Sequence, residues 1–259
     1  MTFRRCGWLL VGCLACILAS CNSGRPGEKK KGLASYLYSI SDNEDKGIKE
    51  IISVYGGECE YGFAKSSSGA PAERNTFWIE VRKSAAIESS RAGADLISSN
   101  IAFLFYRNLK EERDKYTGIK VKIVGTGDKV LEAVYPVPDL KLALARFGVV
   151  NEVVALLDKQ DYKAFGERVD LDTSFFNVPA GEGKATFLEK VTGQERQLGA
   201  VKELLPYGFR LFESPGPGGG SVLYFAALVF RENGKKHPLS TVVSTDPSDN
   251  RIHFFNYNF

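Results

Sequence analysis

The chain has 259 residues, of which 44% are hydrophobic and 25% are charged, and its formal net charge is +3 at pH 7. This composition is that of a soluble globular protein, long enough for one large domain or two smaller ones. The nearly balanced charge provides no broad basic surface, so we expect no nucleic-acid partner.

The first twenty residues differ from the rest and have the layout of a secretory signal peptide. Arg4 and Arg5 precede an apolar stretch from Cys6 to Ile17, and small residues follow it. This stretch is too short to cross the ~30 Å hydrocarbon core of a bilayer as a helix. Removal of residues 1–20 would take away two of the 34 basic residues and none of the 31 acidic ones, leaving a formal charge of +1.

The four residues Leu18-Ala19-Ser20-Cys21 resemble the lipobox of bacterial lipoproteins. In that family the cysteine thiol receives a diacylglyceryl group, and the signal peptide is cleaved just before it. The resemblance implies a mature protein that begins at a lipidated Cys21 and is anchored to a membrane of the cell envelope. Two alternatives remain. A second match, Leu10-Val11-Gly12-Cys13, would leave an apolar mature start, and an uncleaved segment would form a buried N-terminal helix.

Residues 21–32 contain no apolar side chain after the cysteine and are predicted to form a flexible tether. In enteric lipoproteins an aspartate directly after the cysteine is associated with retention in the inner membrane. Asn22 stands at that position, which favours the outer membrane over the inner one. The three cysteines of the signal peptide would be lost on cleavage, so no intramolecular disulfide is expected.

Residues 33–144 are predicted to form an N-terminal α+β module. The spacing of Ile48 and Ile51 predicts a first helix, and Ser84 can cap a second, long one. Strand-like runs follow each helix in pairs, at residues 59–65, 76–83, 119–124 and 130–135. The order α-β-β-α-β-β favours an antiparallel sheet with helices on one face.

Residues 145–259 are predicted to form a second α+β module. It opens with a helix from about Val149 to Val169, and a further helix follows. Three of its strands are predicted at residues 222–231, 239–245 and 251–259. The pair Asn233-Gly234 between the first two is a strong signal for a β-hairpin turn.

This second module resembles the nuclear transport factor 2-like (cystatin-like) superfamily. The resemblance depends on the step Asp161-Tyr162 in a helix, on the sequence RQLGAVK at residues 196–202, and on the antiparallel sheet that follows. It implies a curved sheet wrapped on helices, which together form a cone with an apolar pocket. Members of the superfamily include enzymes, binding proteins and scaffolds of secretion machinery, so the implied fold does not fix a function.

No sequence motif predicts a metal site or a cofactor site, and we expect neither. The two histidines, His237 and His253, have no neighbours at metal-ligand spacing. The glycine-rich stretches at residues 181–186 and 216–221 lack a required hydroxyl residue or third glycine of the phosphate-binding motifs.

Some residues are candidates for a site within the implied cone. Because some enzymes of the resembled superfamily place an aspartate or a histidine there, His253 on the last strand is the candidate catalytic residue. The alternative for His253 is a surface or hydrogen-bonded core residue. Four carboxylates cluster around the second module's first helix, namely Asp158, Asp161, Asp170 and Asp172. The candidate pocket-lining residues are Tyr207, Phe209, Tyr224 and Phe225.

Together these features predict a membrane-anchored envelope lipoprotein that binds or scaffolds without catalysis. Its expected partners are the membrane, through the lipid anchor, and either an envelope protein or a small apolar ligand. One alternative is a hydrolase or isomerase that uses a carboxylate or His253 in the cone. The other is a structural component of a secretion or conjugation assembly.

Overall fold

The computed structural model describes residues 40–65, 71, 75–170, 183–213 and 220–257. The predicted signal peptide, Cys21 and the predicted tether lie outside the described residues, and so do Asp172 and the last two residues. The described part of the chain is α+β, as predicted, with six α-helices and two four-stranded sheets.

The helices are α1 (Asp42–Tyr55), α2 (Ala85–Glu88), α3 (Ala94–Asn108), α4 (Val137–Asp158), α5 (Tyr162–Arg168) and α6 (Lys184–Leu198). The first sheet consists of β1 (Glu58–Lys65), β2 (Asn75–Arg82), β3 (Gly118–Val124) and β4 (Val130–Pro136). The second sheet consists of β5 (Val201–Glu213), β6 (Ser221–Arg231), β7 (Lys236–Ser244) and β8 (Ile252–Tyr257). In each sheet the strands lie side by side in chain order.

The central pair of the first sheet, β2 and β3, is parallel. The pairs β1–β2 and β3–β4 are antiparallel. The chain passes through α2 and α3 between β2 and β3, and such a crossover brings it back to the starting end of the sheet, which makes the two strands parallel. The prediction of a wholly antiparallel first sheet is therefore wrong at this pair.

The start of α1 is set by a capping box. The Oγ of Ser41 accepts a hydrogen bond from the backbone N–H of Glu44 (3.2 Å), and the Glu44 carboxylate accepts one from the backbone N–H of Ser41 (2.8 Å). The predicted apolar stripe is confirmed, because Ile48 and Ile51 are fully buried. This stripe packs α1 against α3.

The helix α3 lies at the centre of the molecule. Its residues 96–106 are all buried, because it contacts β3 and β4 of the first sheet and β5 of the second. Strand β5 comes close to α3 at Gly208, whose φ is 142°. A Cβ at this position would collide with the carbonyl oxygen of Leu96, so only glycine allows the contact. The helix α3 thus packs against both sheets.

The helix α4 begins at Val137, directly after β4, and not at Val149 as we predicted. Pro136 and Pro138 flank the start of the helix, where the N–H groups have no intrahelical acceptor and proline is tolerated. A turn at Lys159–Gln160 then separates α4 from α5. The helix α4 therefore passes through residue 145, at which we predicted the second module to begin. Within the described residues, no helix combines the length and apolar character needed to cross a bilayer.

The second sheet is antiparallel throughout, as predicted. The turn at Asn233-Gly234 connects β6 and β7, and Gly234 has a φ of 81° that favours glycine. A buried ion pair fastens α6 to this sheet. Arg231 on β6 is 1% exposed and donates two hydrogen bonds of 2.8 Å to the carboxylate of Glu195 on α6. The hydroxyl of Tyr257 on β8 donates a third to the same carboxylate, at 2.7 Å.

Candidate functional site

A cleft of about 840 Å³ opens between the edge of the first sheet and the edge of the second. Its walls are residues 134–136 of β4 and residues 209–213 of β5, and Tyr224 of β6 also lines it. The first turns of α3 and α4 contribute Asp95 and Asp139. The volume lies within the range of about 300–1,000 Å³ that is typical of ligand sites.

The cleft follows the edge of β5 and does not lie over one face of the sheet. Successive side chains of a strand point to opposite faces, yet all five residues from Phe209 to Glu213 line the cleft. Both walls are terminal strands, since β4 ends the first sheet and β5 begins the second. Within the described residues, no further strand pairs with either edge.

The backbone of β5 directs some of its polar groups into this cleft. The N–H of Phe209 donates to the Oγ of Ser99 on α3 (2.9 Å) and therefore points away from β6. On β6, the carbonyl of Ser221 accepts from Thr245 and so faces β7. Glu213 lies opposite Ser221, so its own N–H and C=O groups also point away from β6. Because this orientation recurs at every second residue of an antiparallel strand, the N–H and C=O groups of Leu211 point away from β6 as well.

The rim of the cleft is apolar and exposed, whereas its floor is anchored in the core. Leu211 is 41% exposed and Phe212 is 37% exposed. Phe209, beside them, is only 5% exposed. Its ring lies 6.2 Å from that of Phe103 and 6.1 Å from that of Tyr135, between centroids. The position of β5 at the cleft is therefore fixed by packing against α3 and β4.

The charged groups of the cleft are mainly acidic. Arg210 donates to Asp95 through both Nε and Nη2, the second bond being 3.1 Å long, so these two charges neutralise each other. Among the described residues, Asp139 has no ion-pair partner and Glu213 accepts only from the hydroxyl of Ser221 (2.8 Å). Two carboxylates thus remain in excess. The positive ends of α3 and α4 offset about one negative charge, so the cleft favours a cation.

The carboxyl of Asp139 is the group in the cleft that is best suited to bind a cation or to exchange a proton. Burial disfavours its charged form and raises its pKa above the ordinary value of 3.8. The pKa of Asp95 is lowered instead, because Arg210 donates hydrogen bonds to its carboxylate. Burial also raises the pKa of Tyr135, although a hydrogen bond with Ser98 opposes this shift. Asp139 could therefore receive a ligand cation or exchange a proton.

Two of the four predicted pocket residues, Phe209 and Tyr224, line the cleft. The other two do not. Phe225 is fully covered within the core, next to Phe147 and Phe209. Tyr207 is the extra residue of a β-bulge in β5, and its hydroxyl forms a hydrogen bond with Ser90 (2.9 Å). The bulge shifts the alternation of side chains by one residue, which the sequence pattern does not reveal.

The structure does not place His253 in the cleft. Its Nε2 lies 2.9 Å from the carboxylate of Asp249, which also accepts from Arg251 (2.8 Å). Burial opposes the ionisation of Asp249, but these hydrogen bonds outweigh it and hold the pKa of that carboxyl below its usual range. Arg168 binds the carbonyl of Asn250 in the same loop (2.8 Å). The geometry around His253 is that of a loop held in place by ion pairs.

The predicted cluster of carboxylates is dispersed in the structure. Asp158 accepts a hydrogen bond from the backbone N–H of Val201 (2.6 Å), Asp161 caps the start of α5, and Asp170 pairs with Arg251. Asp158 and Asp170 thus each join two segments of the fold, and Asp161 acts within its own helix. In the described part of the chain, no group of three or more His, Cys, Asp or Glu residues is placed to hold a metal ion.

Of the residues that line the cleft, the sequence predicted only Phe209 and Tyr224, and the missed residues include Asp139, Leu211 and Phe212. Asp139 follows Pro138, in a stretch that resembles a linker because its prolines interrupt the strand pattern. Leu211 and Phe212 are adjacent apolar residues at the end of a strand. The two side chains of such a pair point to opposite faces of the strand, and the sequence alone does not tell a strand covered on both faces from an exposed edge.

Comparison of the chain with protein-family models, with curated proteins and with solved structures finds no match.

Proposed function

We propose that this protein is a lipid-anchored protein of the bacterial cell envelope that binds a partner in the cleft between its two sheets and does not catalyse a reaction. The anchor is Cys21 of the lipobox-like sequence, and the partner is an envelope protein or a small apolar ligand. The observation that carries the proposal is the edge of β5, where Leu211 and Phe212 are exposed beside Asp139, which forms no ion pair with any described residue. Exposed apolar side chains at a concave edge are typical of binding sites.

The path of the chain supports this arrangement. The helix α1 runs antiparallel to α3, because its Gly47 lies against Phe105 and its Tyr55 accepts a hydrogen bond from Asn100 (2.8 Å). The start of α1 is therefore near the end of α3 that is remote from the cleft. The 15 residues of α3 span about 22 Å. The chain that leads into α1 thus enters the described fold at the end remote from the mouth of the cleft.

Lipidation is tested by Cys21→Ala. We expect this change to abolish the incorporation of labelled fatty acid, to leave an uncleaved precursor, and to release the protein from the membrane fraction. Cys13→Ala is the matched control for the alternative lipobox and should leave processing unchanged. Normal processing of Cys21→Ala would reject the anchor.

Use of the cleft is tested by photo-crosslinking in intact cells. A benzophenone amino acid in place of Leu211 should yield a discrete adduct, whereas the same residue in place of Val130 should not. Val130 is the matched control because it is 54% exposed but lies at the other end of β4, outside the cleft. Equal cross-linking from both positions, or none from either, would contradict the proposal. Mass spectrometry of the adduct tells a protein partner from a small molecule.

A second function is favoured by one observation, the raised pKa of Asp139 inside a cleft. A carboxyl that keeps its proton to higher pH is a candidate general acid or base for a hydrolase or isomerase. This function predicts turnover that is lost in Asp139→Asn, whereas His253→Gln would retain it because His253 lies outside the cleft. Loss of turnover in His253→Gln alone would instead point to the site that we predicted from the sequence. A structural role in a secretion or conjugation assembly stays a prediction, which the identity of the cross-linked partner tests.

A further inference from the structure

We propose that the partner is an extended peptide segment carrying a lysine or arginine, and that it adds as a strand to the free edge of β5. The inference rests on the proposed binding role of the cleft but not on the lipid anchor. It names the chemistry of the partner, namely main-chain hydrogen bonds to β5 and a cation opposite Asp139.

The main-chain groups of β5 are the first support. Leu211 and Glu213 both direct an N–H and a C=O away from β6 and into the cleft. An unpaired row of this kind is a template for another strand, and β-strand addition is a recurring way to recognise extended peptides. At the inner end of the cleft, the edge N–H of Phe209 is covered by Ser99 of α3.

The shape of the cleft is the second support. It runs along five consecutive residues of β5 and is bounded on its far side by residues 134–136 of β4. A peptide strand rises about 3.3 Å per residue, so about four or five residues would lie along residues 209–213. Alternate side chains of the peptide would meet Leu211 on one side and Phe212 on the other. A compact small molecule would leave much of this edge unpaired.

Charge is the third support, and it selects a basic segment. Asp139 and Glu213 lie in the cleft without an ion-pair partner among the described residues, while Arg210 is already engaged by Asp95. A lysine or arginine side chain would pair with Asp139 through charge-assisted hydrogen bonds. An acidic segment would be repelled. This disfavours residues 171–182 of the same chain, which contain two acidic residues and no basic one.

The experiment uses the mature chain, residues 21–259, and four acetylated hexapeptides. The first is Thr-Val-Lys-Val-Lys-Thr, the second has glutamate in place of both lysines, and the third has N-methyl groups on the amides of one edge. A fourth carries N-methyl groups on the other edge. Fluorescence anisotropy gives the affinities, and amide hydrogen exchange of the protein gives the location.

We expect the lysine peptide to bind and to slow the exchange of the Leu211 and Glu213 amides at least tenfold. The glutamate peptide should bind at least tenfold more weakly. Of the two N-methylated peptides, one should lose at least tenfold in affinity and the other should bind like the parent, because only one edge of a strand faces β5. Equal affinity of the parent and both N-methylated peptides would overturn strand addition. Absence of binding by the parent, or unchanged amides, would overturn it as well.

Variants of the protein separate the main chain from the side chains. Leu211→Pro removes the outward N–H, and proline is tolerated on edge strands where this N–H faces solvent. We expect it to weaken binding of the lysine peptide at least tenfold, whereas Leu211→Ala should weaken it less than about threefold. Asp139→Asn should lower the affinity for the lysine peptide about threefold to tenfold and should not lower the affinity for the glutamate peptide. If Leu211→Pro lowers the unfolding midpoint markedly, the N-methylated peptides provide the same test on the unchanged protein.

Other occupants give distinct outcomes. If replacement of Lys29, Lys30 and Lys31 by serine raises the peptide affinity at least tenfold, the chain's own basic stretch fills the cleft, and the assignment to a partner is overturned. If sedimentation shows a dimer that Leu211→Pro dissociates, the occupant is a second copy, and the assignment is again overturned. A small-molecule adduct at position 211 in cells would contradict strand addition while leaving the proposed binding function intact.

Discussion

The hydroxyl of Ser99 accepts a hydrogen bond from the backbone N–H of Phe209 across 2.9 Å, and so α3 covers the edge of β5 at this residue. The same hydroxyl donates to the carbonyl of Leu96 within α3 (2.9 Å). Two residues further along the strand, at Leu211, the edge is exposed. Ser99 therefore marks the boundary between the covered and the open part of β5.

Replacement of Ser99 by alanine should lower the free energy of unfolding by about 1–3 kcal/mol, because it leaves the buried N–H of Phe209 without an acceptor. Urea denaturation measures this change. Ser89→Ala is the control, because the Ser89 hydroxyl is exposed and binds only carbonyls of its own helix, at Ala85 and Ala86. An equally small effect of both substitutions would show that Ser99 does not cap the edge.

Two glycines give a matched pair with opposite expected effects. Gly208→Ala should lower the free energy of unfolding by more than about 3 kcal/mol, because the new Cβ collides with Leu96 and the φ of 142° is strained for alanine. Gly148→Ala, in α4 with open space around its Cβ position, should raise it by about 0.5–1 kcal/mol. Thermal unfolding of both variants tests the close contact of β5 with α3. The contact would be refuted if Gly208→Ala were harmless.

Removal of one partner of the ion pair between Arg231 and Glu195 should strongly lower the free energy of unfolding. Glu195→Ala leaves the guanidinium of Arg231 buried without its partner, which should cost about 3–5 kcal/mol. The exposed pair Lys83–Glu58 has a similar length of 3.0 Å, yet Glu58→Ala should cost less than about 1 kcal/mol. Chemical denaturation compares the two. Similar losses of unfolding free energy in the two variants would mean that burial does not make the Arg231–Glu195 pair more important than the exposed pair.

Much of the secondary structure could be predicted from local patterns. Helical periodicity explains the buried stripe of Ile48 and Ile51. The turn at Asn233-Gly234 is explained by the left-handed backbone conformation that glycine readily adopts. The parallel pairing of β2 with β3 has no such signal, because a strand with one buried face shows the same alternation in either orientation. The start of α4 was missed because a proline beside a helix start and a proline in a linker read alike.

Two of the three carboxylates that line the cleft, Asp139 and Asp95, should change stability with pH in opposite directions. Burial raises the pKa of Asp139, so the folded state keeps this proton to higher pH than the unfolded state. The contribution of the Asp139 carboxyl to the stability of the folded state is full at low pH. This contribution is lost as the pH rises from 3.8 through the raised pKa. Asp139→Asn should therefore gain stability relative to wild type as the pH rises through this window, by at most about 1 kcal/mol because the group is half-exposed.

Asp95 is the matched control for Asp139. Arg210 lowers the pKa of Asp95, so its contribution is present above the ordinary value of 3.8 and is lost as the pH falls through the lowered pKa. Asp95→Asn should lose stability relative to wild type at neutral pH, and the difference should shrink in acid. Unfolding free energies measured in steps from acid to neutral pH compare the variants. Slopes of the same sign for both would refute the assigned environments.

The candidate site could be predicted only in part. Phe209 and Tyr224, which we predicted to line a pocket of the implied cone, line the cleft between the two sheets instead. The open edge itself results from the distance between two sheets that α3 holds apart, and no local pattern encodes this distance. The bulge at Tyr207 and the approach at Gly208 decide which residues of β5 reach the cleft, and both depend on tertiary contacts.

Amide hydrogen exchange along β5 of the unliganded protein tests the central claim most directly. If β5 has a free edge at the cleft, the amides of Leu211 and Glu213 exchange rapidly, whereas those of Arg210 and Phe212, which donate to β6, exchange slowly. Uniform protection of all four amides would mean that the edge is covered, and the cleft could then not receive a partner strand.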